Sequence, residues 1–330
     1  MANHSEKRGM SAGVLILLAV LVALVSVVGT GYFYYKEKYA GSSVAYSHSL
    51  IKNLDENSFE YKMAKMFYSA DELAAIRSDS SADLDASTTT VYNDNLDANG
   101  IEIQKVHGTT YEAYMMIVHN PQDVYFVANP NMDSGATAPN LEDYITSNGA
   151  IAGTNAGGFQ DDGGTGNGGV AWGIVIHDGK LIHGSLSDYT SVVGINSENK
   201  LIVGNMSAQT ALDYGIRDAV TFGPILLNNY SVVYKSGDGG QAQLNPRTAI
   251  GQRADGTFLL LVIDGRGPTS FGAKYEDIIG IMQYYDAQTA ACLDGGNSSA
   301  MMYNNEYVND TVSMYGSRHL PTAVIVKGGN

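Results

Sequence analysis

The sequence predicts an α+β fold with a mixed, largely antiparallel β-sheet core and a few flanking helices, preceded by one N-terminal transmembrane helix. Three observations predict it. Short apolar runs bounded by turn residues recur from residue 101 onward, while helical periodicity is confined to a few segments. Strands and helices do not alternate regularly, which argues against a doubly wound or barrel fold. A long uncharged apolar block opens the chain.

That block covers residues 9–35, and 14–28 is almost wholly Leu, Val, Ile and Ala. Spanning a bilayer takes about 20 apolar residues. Tyr32, Phe33, Tyr34 and Tyr35 then read as an aromatic belt at the far interface. The rival is a cleaved signal peptide, but the nearest small-x-small site, Ser43-Val44-Ala45, lies beyond Lys36-Glu37-Lys38. The expected organisation is a cytoplasmic tail (1–8), a signal anchor (9–35), a stalk or linker (36–95) and a folded domain (96–330). Lys7 and Arg8 nearly balance Lys36 and Lys38, so orientation rests on the short tail and large following domain. This places a single-pass protein in the plasma membrane with its domain outside the cell. Cys292 is the only cysteine, so no internal disulfide or cysteine metal cage can form. An exported domain without disulfides suits a bacterial surface.

Within the stalk, residues 57–67 and 70–76 read as short helices, the second with Ser69 as N-cap and Glu72 completing a capping box. The stretch 78–100, rich in Ser, Asp, Thr and Asn, reads as a solvated linker. Strands follow at 101–106, 111–119 and 124–128, the last two joined by the turn Asn120-Pro121-Gln122-Asp123. Asn140 caps a helix over 141–146. Asp178-Gly179 marks a hairpin between 171–177 and 181–183. Further strands are expected at 201–203, 225–227, 231–234, 258–263, 290–293, 301–303 and 323–326. Residues 275–285, with Ile278, Ile279, Met282 and Tyr285 on one stripe, form the strongest helix.

The net charge of −15 argues against a nucleic-acid partner. With 38 Gly, 22 Tyr and only 16% charged residues, the composition fits a strand-rich extracellular glycan enzyme or binder. Three polar clusters at the edges of apolar runs mark the candidate site: Asn245-Pro246-Arg247-Thr248-Ala249-Ile250-Gly251, Asp264-Gly265-Arg266-Gly267, and Asp294-Gly295-Gly296-Asn297-Ser298-Ser299. Glycines there let backbone approach a ligand closely. Arg247, Arg266 and Arg318 suit an anion, which guanidinium grips bidentately. Asp264 and Asp294 are a candidate carboxylate pair of the kind glycoside hydrolysis needs. The alternative for each is a salt-bridging arginine or a turn-forming aspartate.

A fourth segment, Asn155-Ala156-Gly157-Gly158-Phe159, leads into the glycine run 163–169 and reads either as a flexible loop or as backbone amides laid beside a ligand. Gly164, Gly166 and Gly169 match a dinucleotide fingerprint, but a strand follows where a helix is required. Counted from Asp161, a calcium loop would need its closing Glu where Trp172 stands. Ser298 and Ser299 lack a nucleophile motif and suit hydrogen bonding. The histidines show no metal-ligand spacing. No cofactor is expected, and a divalent metal stays open.

Taken together, Asn155 to Phe159, Phe222-Gly223-Pro224, Pro246 to Gly251, Asp264-Gly265-Arg266, Leu293 to Gly296 with Ser298-Ser299, and Arg318 resemble the phosphodiester glycosidase domain family. The order of these stretches also matches, and the resemblance covers about residues 101–327. It departs from the family pattern at Asn245, where a histidine often precedes Pro-Arg-Thr, and at Asn297, in place of a third glycine. The resemblance implies cleavage between an anomeric carbon and the phosphate of a sugar-1-phosphodiester or anionic surface glycan. It implies Asp264 and Asp294 as catalytic acids, and Arg247 and Arg266, with Arg318, as phosphate binders. Asn155, Gly157, Gly158, Phe159, Thr248, Gly295, Gly296, Ser298 and Ser299 complete the expected substrate contacts. The alternative is a non-catalytic module for glycan binding or for exopolysaccharide or wall-polymer assembly, using the same pocket.

Overall fold

A computed structural model describes residues 12–40, 51, 54–78, 89–91, 99–161, 166–235, 243–312 and 316–328. The expected tail, most of the linker 78–100, Asp162 and residues 163–165 of the glycine run lie outside the described residues. The chain divides into two units, Met1–Gly41 with Ser47–Asp79, and Ser42–Tyr46 with Ser80–Asn330.

In the first unit a long helix runs Ala12–Ala40, followed by shorter helices Phe59–Ala64 and Ala70–Ser78. Tyr39, Ile51, Tyr61, Ala64, Leu73 and Ile76 pack into one apolar cluster. The third helix begins as its sequence predicts. The Glu72 N–H donates to Ser69 Oγ (3.3 Å) and the Ser69 N–H to Glu72 Oε2 (2.7 Å), satisfying two donors that a helix start otherwise leaves unpaired. Among the described residues no helix is long and apolar enough to cross a membrane. The helices described therefore do not support the anchor expected over 9–35, of which residues 9–11 lie outside the description. The long helix nonetheless leaves Val20, Leu21, Val22, Leu24, Val25, Val27 and Val28 between 52% and 72% exposed.

In the second unit the first strands are β1 (Thr89–Val91), β2 (Ile101–His107), β3 (Glu112–Val118), β4 (Val124–Ala128), β5 (Ala150–Asn155) and β6 (Val175–His177). Next come β7 (Lys180–His183), β8 (Tyr189–Asn196), β9 (Leu201–Ser207), β10 (Ile216–Thr221), β11 (Ile225–Asn228) and β12 (Ser231–Val232). The last are β13 (Arg247–Gln252), β14 (Phe258–Ile263), β15 (Thr289–Leu293), β16 (Met301–Tyr303), β17 (Glu306–Tyr307) and β18 (Thr322–Lys327). They form three sheets, ordered β1-β2-β3-β14-β13-β15-β11-β12, β7-β6-β10-β8-β9 and β17-β16-β5-β18-β4. The α+β class holds, and every named strand pair is antiparallel, so the parallel component of a mixed sheet does not occur among them.

The uniformly apolar β14 shows where the core sits. Leu259, Leu261 and Ile263 pack in the cluster under helix Tyr275–Tyr284, while Phe258, Leu260 and Val262 pack against Phe126, Val193, Val220 and Val324 of the other sheets. Both faces of the strand are covered, which is why it carries no polar alternation. Two outer clusters back the smaller sheets, one with helix Leu141–Ser147 and one with helix Ala208–Asp213. Asn140 caps the former through a capping box with Asp143. Asp178 and Gly179 take positive φ of 50° and 69° between β6 and β7, as the favoured two-residue hairpin turn requires.

The segment beginning at Arg247 corrects the sequence reading. Residues 247–252 are a buried central strand between β14 and β15, not part of a polar turn. Gly251 is small for packing reasons: a Cβ there would lie 2.9 Å from Met282 Sδ. Strands β5, β8 and β10 and helix Ala208–Asp213 also had no counterpart in the expectation.

Candidate active site

Strand register brings the polar clusters to one end of the large sheet. Arg247 opposes Ile263 and Thr248 opposes Leu293, so Arg247, Asp264 and Asp294 stand at neighbouring strand ends. Asn155, fully buried at the end of β5, ties this region together. Its Nδ2 donates to the Asp294 carbonyl, and its Oδ1 accepts from Thr248 Oγ1 (2.8 Å) and the Ala300 N–H (3.2 Å). Asn155 and Thr248 therefore position the strand ends rather than facing a ligand. Neither lines the cavity that opens here.

That cavity has a volume of about 590 Å³. Asp294 lines it, together with Gly295, Gly296 and Ser298. All three arginines line it as well. Asp294 is half-buried, and burial pushes its carboxyl up to about 6 against the lowering effects of the Ser298 hydrogen bond and the Arg318 charge. A carboxyl there exchanges its proton near neutrality.

Asp264 does not line the cavity. It is 5% exposed, with Oδ1 accepting from Asn309 Nδ2 (2.9 Å) and Oδ2 from the Asp310 N–H (3.3 Å). Burial raises it to about 6 also, with Asp310 and Glu112 adding to the rise. The cavity therefore does not contain the expected Asp264–Asp294 pair. Among the described residues the other carboxylate on its wall is Asp161, held below the usual range chiefly by its bond to Arg318.

The three arginines are presented differently. Arg247 is 6% exposed, lies over the Tyr275 ring (4.3 Å) and donates to the carbonyls of Ala273 (3.0 Å) and Gln243 (2.6 Å). Arg318 lies over Phe159 (4.8 Å) and pairs with Asp161 Oδ2 (2.7 Å). Arg266 is exposed at the cavity rim, with φ of 61°, and donates to the side chains of Asn245 and Asn297. The ring-stacked pair forms a fixed cationic floor, and Arg266 is the outermost charge.

Among the remaining expected contacts, Phe159 lines the cavity, whereas Gly157, Gly158 and Ser299 do not. Gly158 works indirectly, since a Cβ there would lie 2.7 Å from the Trp172 ring and 3.0 Å from Phe222. Trp172, Phe222 and Tyr275 form aromatic walls that the expected site omitted, as it omitted Asp161 and Asn297. Three of these carried a signal: Trp172 is the only tryptophan, Asn297 breaks the glycine run, and Phe222 stands in one of the stretches that carry the family resemblance.

Among the described residues, His177, Asp178 and Asp218 form one group close enough to hold a metal ion. None of them lines the cavity. Asp218 already meets His177 Nδ1 at 3.0 Å and Arg217 Nε at 3.1 Å, so Arg217 balances its charge. The arrangement is an ion-pair network rather than a cation cage.

The chain belongs to the phosphodiester glycosidase family, whose model matches residues 148–327. It is similar to the SPbeta prophage-derived uncharacterized protein YomE of Bacillus subtilis, 29% identical over 170 residues. That match covers 49% of this chain and 25% of the relative, so the chain spans about a quarter of that relative's length. In fold it is similar to the catalytic domain of zebrafish N-acetylglucosamine-1-phosphodiester α-N-acetylglucosaminidase, auto-inhibited by its pro-peptide. The TM-score is 0.56 at 18% identity, covering 73% of this chain and 88% of that one.

Proposed function

We propose that this protein is a hydrolase that cleaves the bond between the anomeric carbon and phosphate oxygen of sugar-1-phosphodiesters. The observation that carries the reading is one carboxyl poised near neutrality, Asp294, on the wall of a cavity that also holds Arg247, Arg266 and Arg318. In the reaction a water oxygen bonds to the anomeric carbon. The carbon–oxygen bond to phosphate breaks with its electron pair leaving on the phosphate monoester. The proton lost by water passes to a base. A phosphate monoester leaves readily, so the arginines that stabilise its charge take over much of what a strong general acid does in other glycosidases. Asp294 serves the anomeric centre, and the aromatic walls exclude water and face the sugar ring. Arg247 and Arg318, stacked on rings, are preorganised to meet the leaving charge.

A further part of the proposal is that helix Ala12–Ala40, through its exposed valines and leucines, holds the protein at a bacterial plasma membrane with the catalytic unit outside. Washing membranes with carbonate checks it, since release of the intact chain into the supernatant overturns the anchor. For the activity, the full-length protein in detergent is incubated with a sugar-1-phosphodiester and released reducing sugar is assayed. Binding without release would overturn the hydrolase reading in favour of a glycan-binding or polymer-assembly module.

A further inference from the structure

Behind Trp172 and Phe222 lies a second cavity, of about 640 Å³, and these two residues with Gly223 line both hollows. The two differ in chemistry. Among the described residues, the first carries two aspartates and three arginines, whereas no charged residue lines the second. Its polar side chains are Ser191, Asn205 and Thr221. Ser191 and Asn205 are directly opposed across β8 and β9, so both side chains stand on the same face of that sheet. The Thr221 hydroxyl is engaged with the Ile174 backbone, at 2.8 Å to its N–H and 3.2 Å to its carbonyl. Ser191 and Asn205 are therefore the groups placed to meet a ligand.

An anion entering this cavity would find no cation among the described lining residues to offset its desolvation. A neutral sugar would find what it needs. An aromatic face takes the apolar side of the ring, and hydroxyl and amide groups take its hydroxyls. Trp172, 51% exposed, offers such a face on the partition between the cavities.

We infer that the second cavity is a subsite for a neutral sugar unit of the same substrate, so that the protein takes a glycan chain rather than a lone sugar-1-phosphate ester. The word substrate rests on the hydrolase reading above. The binding claim does not, and it can fail separately.

Trp172 is the only tryptophan, so tryptophan emission reports on this partition alone. The full-length protein is titrated with maltotriose, cellotriose and tri-N-acetylchitotriose in turn, with and without saturating inorganic phosphate, and followed by emission and by calorimetry. At least one neutral trisaccharide is expected to bind with a midpoint that phosphate changes less than about twofold, because the two ligands occupy different cavities. Asn205→Tyr, which fills the mouth of the second cavity from an exposed position, is expected to weaken that sugar at least tenfold and leave phosphate binding unchanged. Mutual exclusion of sugar and phosphate, or no binding of any of the three, would overturn the subsite. Independent sugar binding by a protein that releases no reducing sugar from phosphodiesters would leave the subsite standing and remove only the hydrolase reading.

Discussion

Arg266 and Asn245 are joined side chain to side chain, Nη2 donating to Asn245 Oδ1 over 3.0 Å, while Nη1 donates to Asn297 Oδ1. The two asparagines are the positions at which the chain departs from the family pattern, and in the fold they converge on one guanidinium. They fix a long side chain that stands exposed at the cavity rim. Replacing both by alanine frees Arg266 to sample many rotamers. The expected result is a KM for a sugar-1-phosphodiester raised about 5- to 10-fold, equal to roughly 1 kcal/mol, with kcat changed less. Arg266→Lys loses the fork and should raise KM at least as much. Steady-state kinetics on the two variants checks this, and unchanged KM values would show that Arg266 does not bind the substrate.

Asn155 supports the site without entering it. Its side chain satisfies the Asp294 carbonyl, the Thr248 hydroxyl and the Ala300 N–H. Asn155→Ala leaves all three without that partner in a fully buried place, and each buried orphan costs about 1–3 kcal/mol. Urea unfolding should show a loss of at least about 3 kcal/mol. A change under 0.5 kcal/mol would mean that water or a neighbour takes over these bonds.

Much of the framework was legible in the sequence because it rests on short-range signals. The Ser69 capping box, the Asn140 cap, the Asp178-Gly179 hairpin and the apolar runs of β4, β14 and β16 all follow from local chemistry. The strands that were missed carry small or polar residues. Strand β5 reads Ala-Ile-Ala-Gly-Thr-Asn, and Gly153 is there because a Cβ would lie 2.5 Å from the Val324 carbonyl, a constraint imposed by a partner 171 residues away. The same long-range logic separates the candidate acids. Asp264 and Asp294 look alike in sequence, each closing an apolar strand before a glycine, yet Asn309 and Asp310 draw one away while the other lines the cavity.

The two acids also make stability depend on pH. Both titrate at about 6 when folded, against 3.8 for the ordinary side chain, so between these values the folded chain binds more protons than the unfolded one. Stability from these groups is therefore fully present below about pH 4 and declines as pH rises through 6. For the buried Asp264 the decline is on the order of 3 kcal/mol. Asp264→Asn, which cannot ionise, should flatten the dependence of urea midpoints between pH 4 and 7. A variant that tracks the wild type across that range would show that Asp264 titrates normally.

Activity should separate the same two residues in the opposite sense. Asp294 lines the cavity with the arginines, and its proton affinity suits transfer near neutral pH. Loss of a positioned acid or base costs about 10²- to 10⁴-fold. Asp294→Asn should therefore lower kcat by about 10³-fold on a sugar-1-phosphodiester, with the circular dichroism spectrum preserved. Asp264→Asn should leave kcat within about 5-fold, because Asp264 acts only through the loop that Asn309 and Asp310 anchor. The pH profile gives an independent reading: the limb near 6 in wild-type kcat/KM should persist in Asp264→Asn and vanish from the residual activity of Asp294→Asn. Equal losses in both variants would mean that Asp264 reaches the substrate in the bound state. A fully active Asp294→Asn would remove Asp294 from the chemistry and leave Asp161 as the carboxylate of the cavity.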